Sequence, residues 1–387
     1  RTQTRSFTQN RLYMRYKDVL EPLNKQTSIK NKLIHCHTVV QQYCPDIARI
    51  AVTLYDPATA VLKTYIHSSG DDAPLSHYQA RLDEAPSLQT ILDEGEPRVI
   101  NNMLAFEKGE HQHTKRIGHQ GYEASYTLPM FYNGDFFGFI FFNSYQADIF
   151  TESLLNELDV FAHLISLMVI DELSTLRSLT AALSTAAHIT HQRDPETGSH
   201  LDRMSRYSQL IALQLADKYS LDDEYVEHIF MFAPLHDIGK VAIPDRILLK
   251  QGPLNEEERK IMDTHSNKGL EIIDHMVANF KLSSIPHLDI LRNITHYHHE
   301  AINGEGYPEK LKSDTIPLEA RIVATADVFD ALTSKRPYKE AWDIDRAYEE
   351  MKKLSGHRLD ADCVQVLVEH REEVENIMMR FAENRLG

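Results

Sequence analysis

The chain has 387 residues, 42% hydrophobic and 25% charged, the make-up of an ordinary soluble protein long enough for two or three domains. Its formal charge of −16 excludes a binder of nucleic-acid polymers that works by displacing phosphate counterions, yet leaves room for a small anionic substrate at a locally positive site. No apolar run approaches the roughly 20 residues of a bilayer span, and Cys36, Cys44 and Cys363 lack metal-finger or disulfide spacing, which points to a reducing cytoplasm.

Residues 1 to 45 read as helical. The start is basic (Arg1, Arg5, Arg11, Arg15, Lys17), but no apolar signal-peptide core follows it. Because the chain begins at Arg1 rather than Met, an upstream segment is not excluded. The period then changes. Ile47–Tyr55 and Val61–His67 are rich in β-branched and aromatic residues and are separated by Asp56-Pro57, which predicts two strands. A helix is expected near Ser87–Glu94, then a polar loop over Glu107–Gly121. Tyr122–Tyr132 and Asp135–Tyr145 flank Asn133-Gly134, the strongest two-residue signal for a type I′ hairpin because both positions need positive φ.

This order of helix, paired strands, helix and loop, paired strands and helix describes an α+β sandwich over residues 1–150. With Leu128-Pro129, Gly134 and Gly138 around the hairpin, residues 25–170 resemble a GAF domain, a PAS-like domain being the other reading. The resemblance implies a sensor of an unknown small ligand, or a dimerisation module. His35, His37, His111, His113 and His119 read as surface histidines rather than a metal or haem site.

Residues 151–192 contain no Gly or Pro and read as a connecting helix capped by Thr151, roughly 60 Å long at 1.5 Å per residue. Leu154, Leu158, Phe161, Ile165 and Met168 alternate steps of four and three, the spacing of a helix–helix seam. Packing within one chain is one outcome. The favoured expectation is a parallel homodimer stalk that carries a change in the sensor to the next domain.

Residues 193–387 read as almost wholly helical. Asp194-Pro195 looks like an N-cap followed by Pro at the first helical position, and Leu201, Met204, Tyr207, Ile211 and Leu215 form a buried stripe. Glu196 and His200, four apart, would share a helix face, a geometry that suits a metal or an ordinary surface pair. His236-Asp237 lies inside the apolar run MFAPLHDIGKVAIP, where a buried carboxylate demands a partner, most simply a cation. Lys240 would lie near the same site and suits a phosphate oxygen better than a further ligand role. In THYHHEAINGEGYP, His296, His298 and His299 crowd together ahead of Glu300, Gly304, Gly306 and Pro308. Alone, that stretch reads equally well as a histidine-rich surface loop.

HDIGK resembles the HD phosphohydrolase signature, and His299-Glu300 through Gly306-Tyr307-Pro308 matches the HD-GYP subfamily. The likeness runs over about Ala181–Glu372, including Ile247–Leu254, Ile316–Lys339 and Gly356–Asp360. It implies an all-helical phosphodiesterase domain that opens cyclic di-GMP to linear pGpG, with GMP as a further product in some members. The implied metal ligands are Glu196, His200, His236, Asp237, His265, His298, His299 and Asp327. His188, His191, His275, His287 and His296 are not ligands on this reading. Members with Glu at the position of Glu196 resemble trinuclear enzymes, so two ions are expected and three allowed. The mixed carboxylate–imidazole set suits iron, with manganese next and zinc not excluded by ligand type.

Such a centre would activate a water for in-line attack on phosphorus, with Lys240 binding a non-bridging oxygen. By the same resemblance Arg336 and Lys339 contact substrate, Tyr307 suits either a substrate contact or a structural turn, and Asp194 either reaches substrate or only caps its helix. Asn303 stands where many members carry Asp, and Leu359 and Ala361 replace the usual Phe and Pro. The expected whole is a GAF-like sensor joined by a long helix to an all-α hydrolase domain. The rival readings are a cyclic-dinucleotide receptor with little turnover, a phosphodiesterase preferring cyclic GMP–AMP, and a nucleotidase acting on monomeric nucleotides.

Overall fold

The computed structural model describes residues 17–25, 27–70, 77–103, 121–191, 198–279, 287–334 and 341–382. The first domain opens with helix α1 (Ile29–Tyr43), capped where Ser28 accepts from the Asn31 amide. Strands β1 (Arg49–Asp56), β2 (Val61–Ser69), β3 (Gln79–Arg81), β4 (Arg98–Ile100), β5 (Ala124–Tyr132) and β6 (Asp135–Ser144) form an antiparallel sheet in the order β3-β2-β1-β6-β5-β4. Helix α2 (Pro86–Glu94) starts on a proline and stops at Gly95, whose φ of 69° ends the helix in the left-handed region. The Asn133-Gly134 turn forms as its sequence demands, with φ of 51° and 90° and Tyr132 opposite Asp135.

The sheet is covered on both faces. Ile50, Val52, Tyr65, Tyr126 and Phe142 join the main core, whereas Ala51, Leu62, Phe139 and Phe141 pack with Leu88 and Ile91 of α2. His37, read from sequence as a surface residue, is buried at 4% exposure between Ser68 Oγ and the Ile47 carbonyl. It is a structural link between α1 and β2. His111, His113 and His119 lie outside the described residues.

Helix α3 (Glu152–His191) is the connecting helix, and Thr151 Oγ1 accepts from the Leu154 amide at its start. Part of it, Glu152–Leu183, is long and apolar enough by length and composition to cross a bilayer, which corrects the reading that no stretch is. Here its apolar face serves the core: Leu158, Ala162, Ile165, Val169 and Leu173 are buried, and the helix packs on α1. All five seam positions therefore pack within the chain, Leu158 and Ile165 fully buried and Leu154, Phe161 and Met168 partly so, while Val160 and Leu167 on another face are each 67% exposed.

The second domain is built from α4 (Gly198–Gln214), α5 (Asp223–Phe232), α6 (Glu256–Asp263), α7 (His265–Asn279), α8 (Leu288–Tyr297), α9 (Leu318–Thr333), α10 (Ile344–Leu354), α11 (Ala361–Glu369) and α12 (Arg371–Arg380). Apolar stripes such as Met204, Tyr207 and Ile211 meet Phe329 and Ile294 in one core. Between α5 and α6 the chain tightens into two 3₁₀ turns, Ala233–Leu235 and Ile238–Ala242, rather than continuing as α-helix. Pro234, which lacks an amide hydrogen, suits the first turn of such a segment. Helix α3 packs directly against both turns.

Candidate metal centre

Most of the candidate ligands sit where helices or turns begin or end, Asp327 being the exception. His200 is near the start of α4, His265 opens α7, His298 and His299 follow α8, and Asp327 lies within α9. His236 and Asp237 fall between the two 3₁₀ turns. Close packing makes this possible at Gly239, where a Cβ would collide with the His265 carbonyl, so only glycine lets the two segments approach.

The side chains converge in two groups, each with donor atoms within 4.8 Å of one another: Asp237, His265, His298 and His299, and His200, His236 and Asp327. Asp237 faces both. Its Oδ1 lies 3.2 Å from His265 Nε2 and 3.6 Å from His298 Nε2, and its Oδ2 lies 3.2 Å from His236 Nε2. Asp327 Oδ1 stands 4.0 Å from His236 Nε2.

The outward nitrogens fix the protonation pattern. Nδ1 of His236 meets the Ala233 carbonyl at 2.8 Å, that of His265 the Met262 carbonyl at 2.9 Å, and that of His298 the Ile294 carbonyl at 3.0 Å. A carbonyl only accepts, so each Nδ1 carries a proton and Nε2 is the nitrogen turned inward, where it would offer its lone pair to a cation. Burial, then the neighbouring histidines, depresses the pKa of His299, and burial does the same for His298, so a second proton is disfavoured on both. His265 Nε2 and His298 Nε2 nonetheless lie 3.5 Å apart, both beside a carboxylate oxygen. Converging lone pairs and carboxylates fit a divalent cation better than they fit one another.

Lys240 Nζ is 2.8 Å from Asp237 Oδ2. Burial pushes the Asp237 carboxyl upward, but Lys240 and His236 overcome that and hold it well below the usual carboxylate range. Tyr307 stacks on His299 with ring centres 4.7 Å apart and walls one side. Its loop is held by Glu300, which accepts the Glu309 and Leu311 amides at 2.6 and 2.9 Å, and by Gly306, where a Cβ would strike the Ala301 amide. Asn303 meets Glu305, and its amide bonds the His357 carbonyl, tying the loop to the Gly356–Asp360 turn. Leu359 is buried beneath that turn, and Asp360 caps α11.

Sequence reasoning missed Asp330. It receives His200 Nδ1 at 2.7 Å and Arg203 Nε at 2.5 Å. Burial works upward on its pKa, but these bonds keep it at about 2. The available signal was its position three residues after Asp327 on one helix. His296, set aside from sequence, lies 3.6 Å from Glu309 rather than in either group, and His287 lies 3.4 Å from Glu224. Asp194, Glu196, Arg336 and Lys339 lie outside the described residues, as do the side chains of His188 and His191.

Two family models match parts of the chain. The HD domain model matches residues 194–363 and the GAF domain model residues 36–169. The cyclic di-GMP phosphodiesterase response regulator RpfG of Xanthomonas campestris pv. campestris is 43% identical over 200 residues, 52% of this chain and 50% of that protein. The 3'3'-cGAMP-specific phosphodiesterase 2 of Vibrio cholerae is 38% identical over 187 residues, 48% of this chain and 34% of that protein. A cyclic di-GMP phosphodiesterase of Thermotoga maritima is 37% identical over 192 residues, 50% of this chain and 49% of that protein. The chain spans about half, or less, of the length of these relatives.

Proposed function

We propose that this chain, a GAF domain joined to an HD domain, is a metal-dependent phosphodiesterase that opens a cyclic dinucleotide. The observation that carries the reading is the two adjacent donor groups, Asp237 of the first lying 3.2 Å from His236 of the second, with Lys240 beside that carboxylate. His265, His298, His299 and Asp237 would hold one ion, and His200, His236 and Asp327 with the other oxygen of Asp237 a second. Glu196 is the candidate for a third. Iron fits the mixed donor set, with manganese the alternative.

Bound divalent ions there would supply an acidified water and positive charge for an in-line displacement at phosphorus. The chain's own groups do the rest. The locked Nδ1 protons orient the imidazoles, and Asp330 does so for His200. Lys240 can turn from Asp237 to a non-bridging phosphate oxygen as charge develops on it. Tyr307 offers a face for a base or ribose, and Arg336, Lys339 and Asp194 are the further substrate contacts proposed. Cyclic di-GMP is the first substrate to offer. The likeness to a Vibrio enzyme named for 3'3'-cGAMP supports that dinucleotide as the second.

Regulation by the first domain would run through α3, which touches both 3₁₀ turns flanking His236-Asp237. Exposed Val160 and Leu167 would supply part of a homodimer contact along it.

The test is an anaerobic assay of Fe(II)-loaded protein with each dinucleotide, products being resolved by mass spectrometry beside His236→Ala. Linear product from the parent protein alone is expected. No product from protein of verified metal content would overturn the reading.

A further inference from the structure

A cavity of about 380 Å³ lies between the two domains, away from both donor groups, in the size range and the kind of place that small-molecule sites occupy. The turn after β1 and the β2–β3 edge form one wall, and α4 with α12 forms the other. It is not the face of the sheet covered by α2, because its lining residue Lys63 reaches Glu227 of α5.

The lining has a definite chemistry. Four cationic residues, Lys63, Arg81, Arg206 and Arg380, stand against two acids, Asp56 and Glu373. Lys63 is neutralised by Glu227 and Arg81 by Asp83, so the positive charge open to a ligand is that of Arg380 and of the Arg206 edge turned away from Asp56. Arg206 is only 9% exposed, lies over the Phe381 ring at 4.4 Å, and gives one N–H to Asp56 at 2.7 Å. Its Nε is buried and meets no hydrogen-bond acceptor among the described residues. A buried guanidinium N–H without an acceptor is costly unless something supplies one. Leu210, Ile377 and Phe381 add an apolar surface beside it.

We propose that this cavity binds a small organic anion, its carboxylate or phosphonate-type head against Arg206 and Arg380 and its apolar body against Leu210, Ile377 and Phe381. The ligand would bridge the domains. It would also sit beside the support of His200, since Arg203 donates to the Phe381 carbonyl at 2.9 Å and to Asp330. None of this depends on the hydrolase reading, because binding is measured without any cyclic dinucleotide.

The experiment titrates the full metal-loaded chain by calorimetry with 2-naphthoate, 2-naphthylphosphonate and uncharged 2-naphthamide. Asn376→Trp and Arg380→Glu are compared with the parent protein; both residues are exposed, so the fold should hold, and circular dichroism with metal content verifies it. One saturable site for at least one anion is expected, with the head-group preference read from the two. Naphthamide and Arg380→Glu should each weaken binding by about tenfold, equivalent to about 1.4 kcal/mol. Asn376→Trp, whose indole would fill the space, should abolish it. Equal binding of naphthamide, binding that survives both substitutions, or no binding of either anion would overturn the proposal.

Discussion

Asp330 controls the second donor group without entering it. By accepting the hydrogen bond of His200 Nδ1 it fixes which nitrogen faces inward, and Arg203 holds the carboxylate in place. Asp330→Asn keeps the volume but weakens that grip, and the expected result is a 10–100-fold loss of metal affinity at that position. Metal content after graded chelator competition reads it directly, with the other group retaining its ion. Lys240 belongs to a different class. Lys240→Met should leave metal content unchanged and cost about 10²–10³ in kcat if the amine meets charge that develops only during displacement. Single-turnover assays at saturating metal would show it, and a loss confined to KM would place the lysine in ground-state binding instead. His236-Asp237 was legible because a polar pair inside an apolar run needs an explanation. Asp330 was not, because an acid three residues along a helix gains meaning only when that face is known to meet α4.

At the scale of elements, α3 reports both what periodicity can say and where it stops. Its extent and its Thr151 cap follow from the absence of Gly and Pro and from one hydroxyl. Steps of three and four, however, are the same whether the seam meets another copy or this chain's own α1, so spacing alone left that choice open. The 3₁₀ turns around His236 were equally hidden, since a short apolar run has no period of its own. Helix α3 also carries a partly buried acid, Glu172, facing Tyr65 of β2, Glu224 of α5, Lys32 of α1 and His287. Burial, and after it the Glu224 carboxylate, pushes Glu172 up to about 7 against the pull of Lys32 and His287. A carboxyl raised in the folded state contributes stability that is fully present below about pH 4.5 and is lost as pH rises through about 7. Glu172→Gln should therefore match the parent protein near pH 4.5 and exceed its stability above pH 7 by on the order of 2–3 kcal/mol. Thermal unfolding at stepped pH measures the divergence, and parallel curves for the two proteins would show that Glu172 is not the group responsible.

At the scale of the molecule, the two domains are joined by charge pairs that no sequence pattern announces. Lys63 Nζ meets Glu227 Oε2 at 2.8 Å, Arg206 meets Asp56 at 2.7 Å, and His77 Nδ1 meets Asp223 at 2.8 Å. Lys63 is a charged residue two positions from buried Tyr65 on β2, and it is 7% exposed, with its ammonium 4.1 Å from the Phe230 ring centre. Its partner lies 164 residues away, a separation at which only the assembled fold supplies the signal. A buried pair adds little net stability over an apolar replacement, but removing one member strands the other charge at a cost of about 3–5 kcal/mol. Lys63→Met should accordingly lower the unfolding midpoint markedly, and Lys63→Met with Glu227→Gln should recover most of the loss. A double-mutant cycle by denaturant unfolding gives the coupling, expected above about 1 kcal/mol. A value near zero would mean that the pair does not fasten the domains, and the apolar contacts of α3 would then be their main connection.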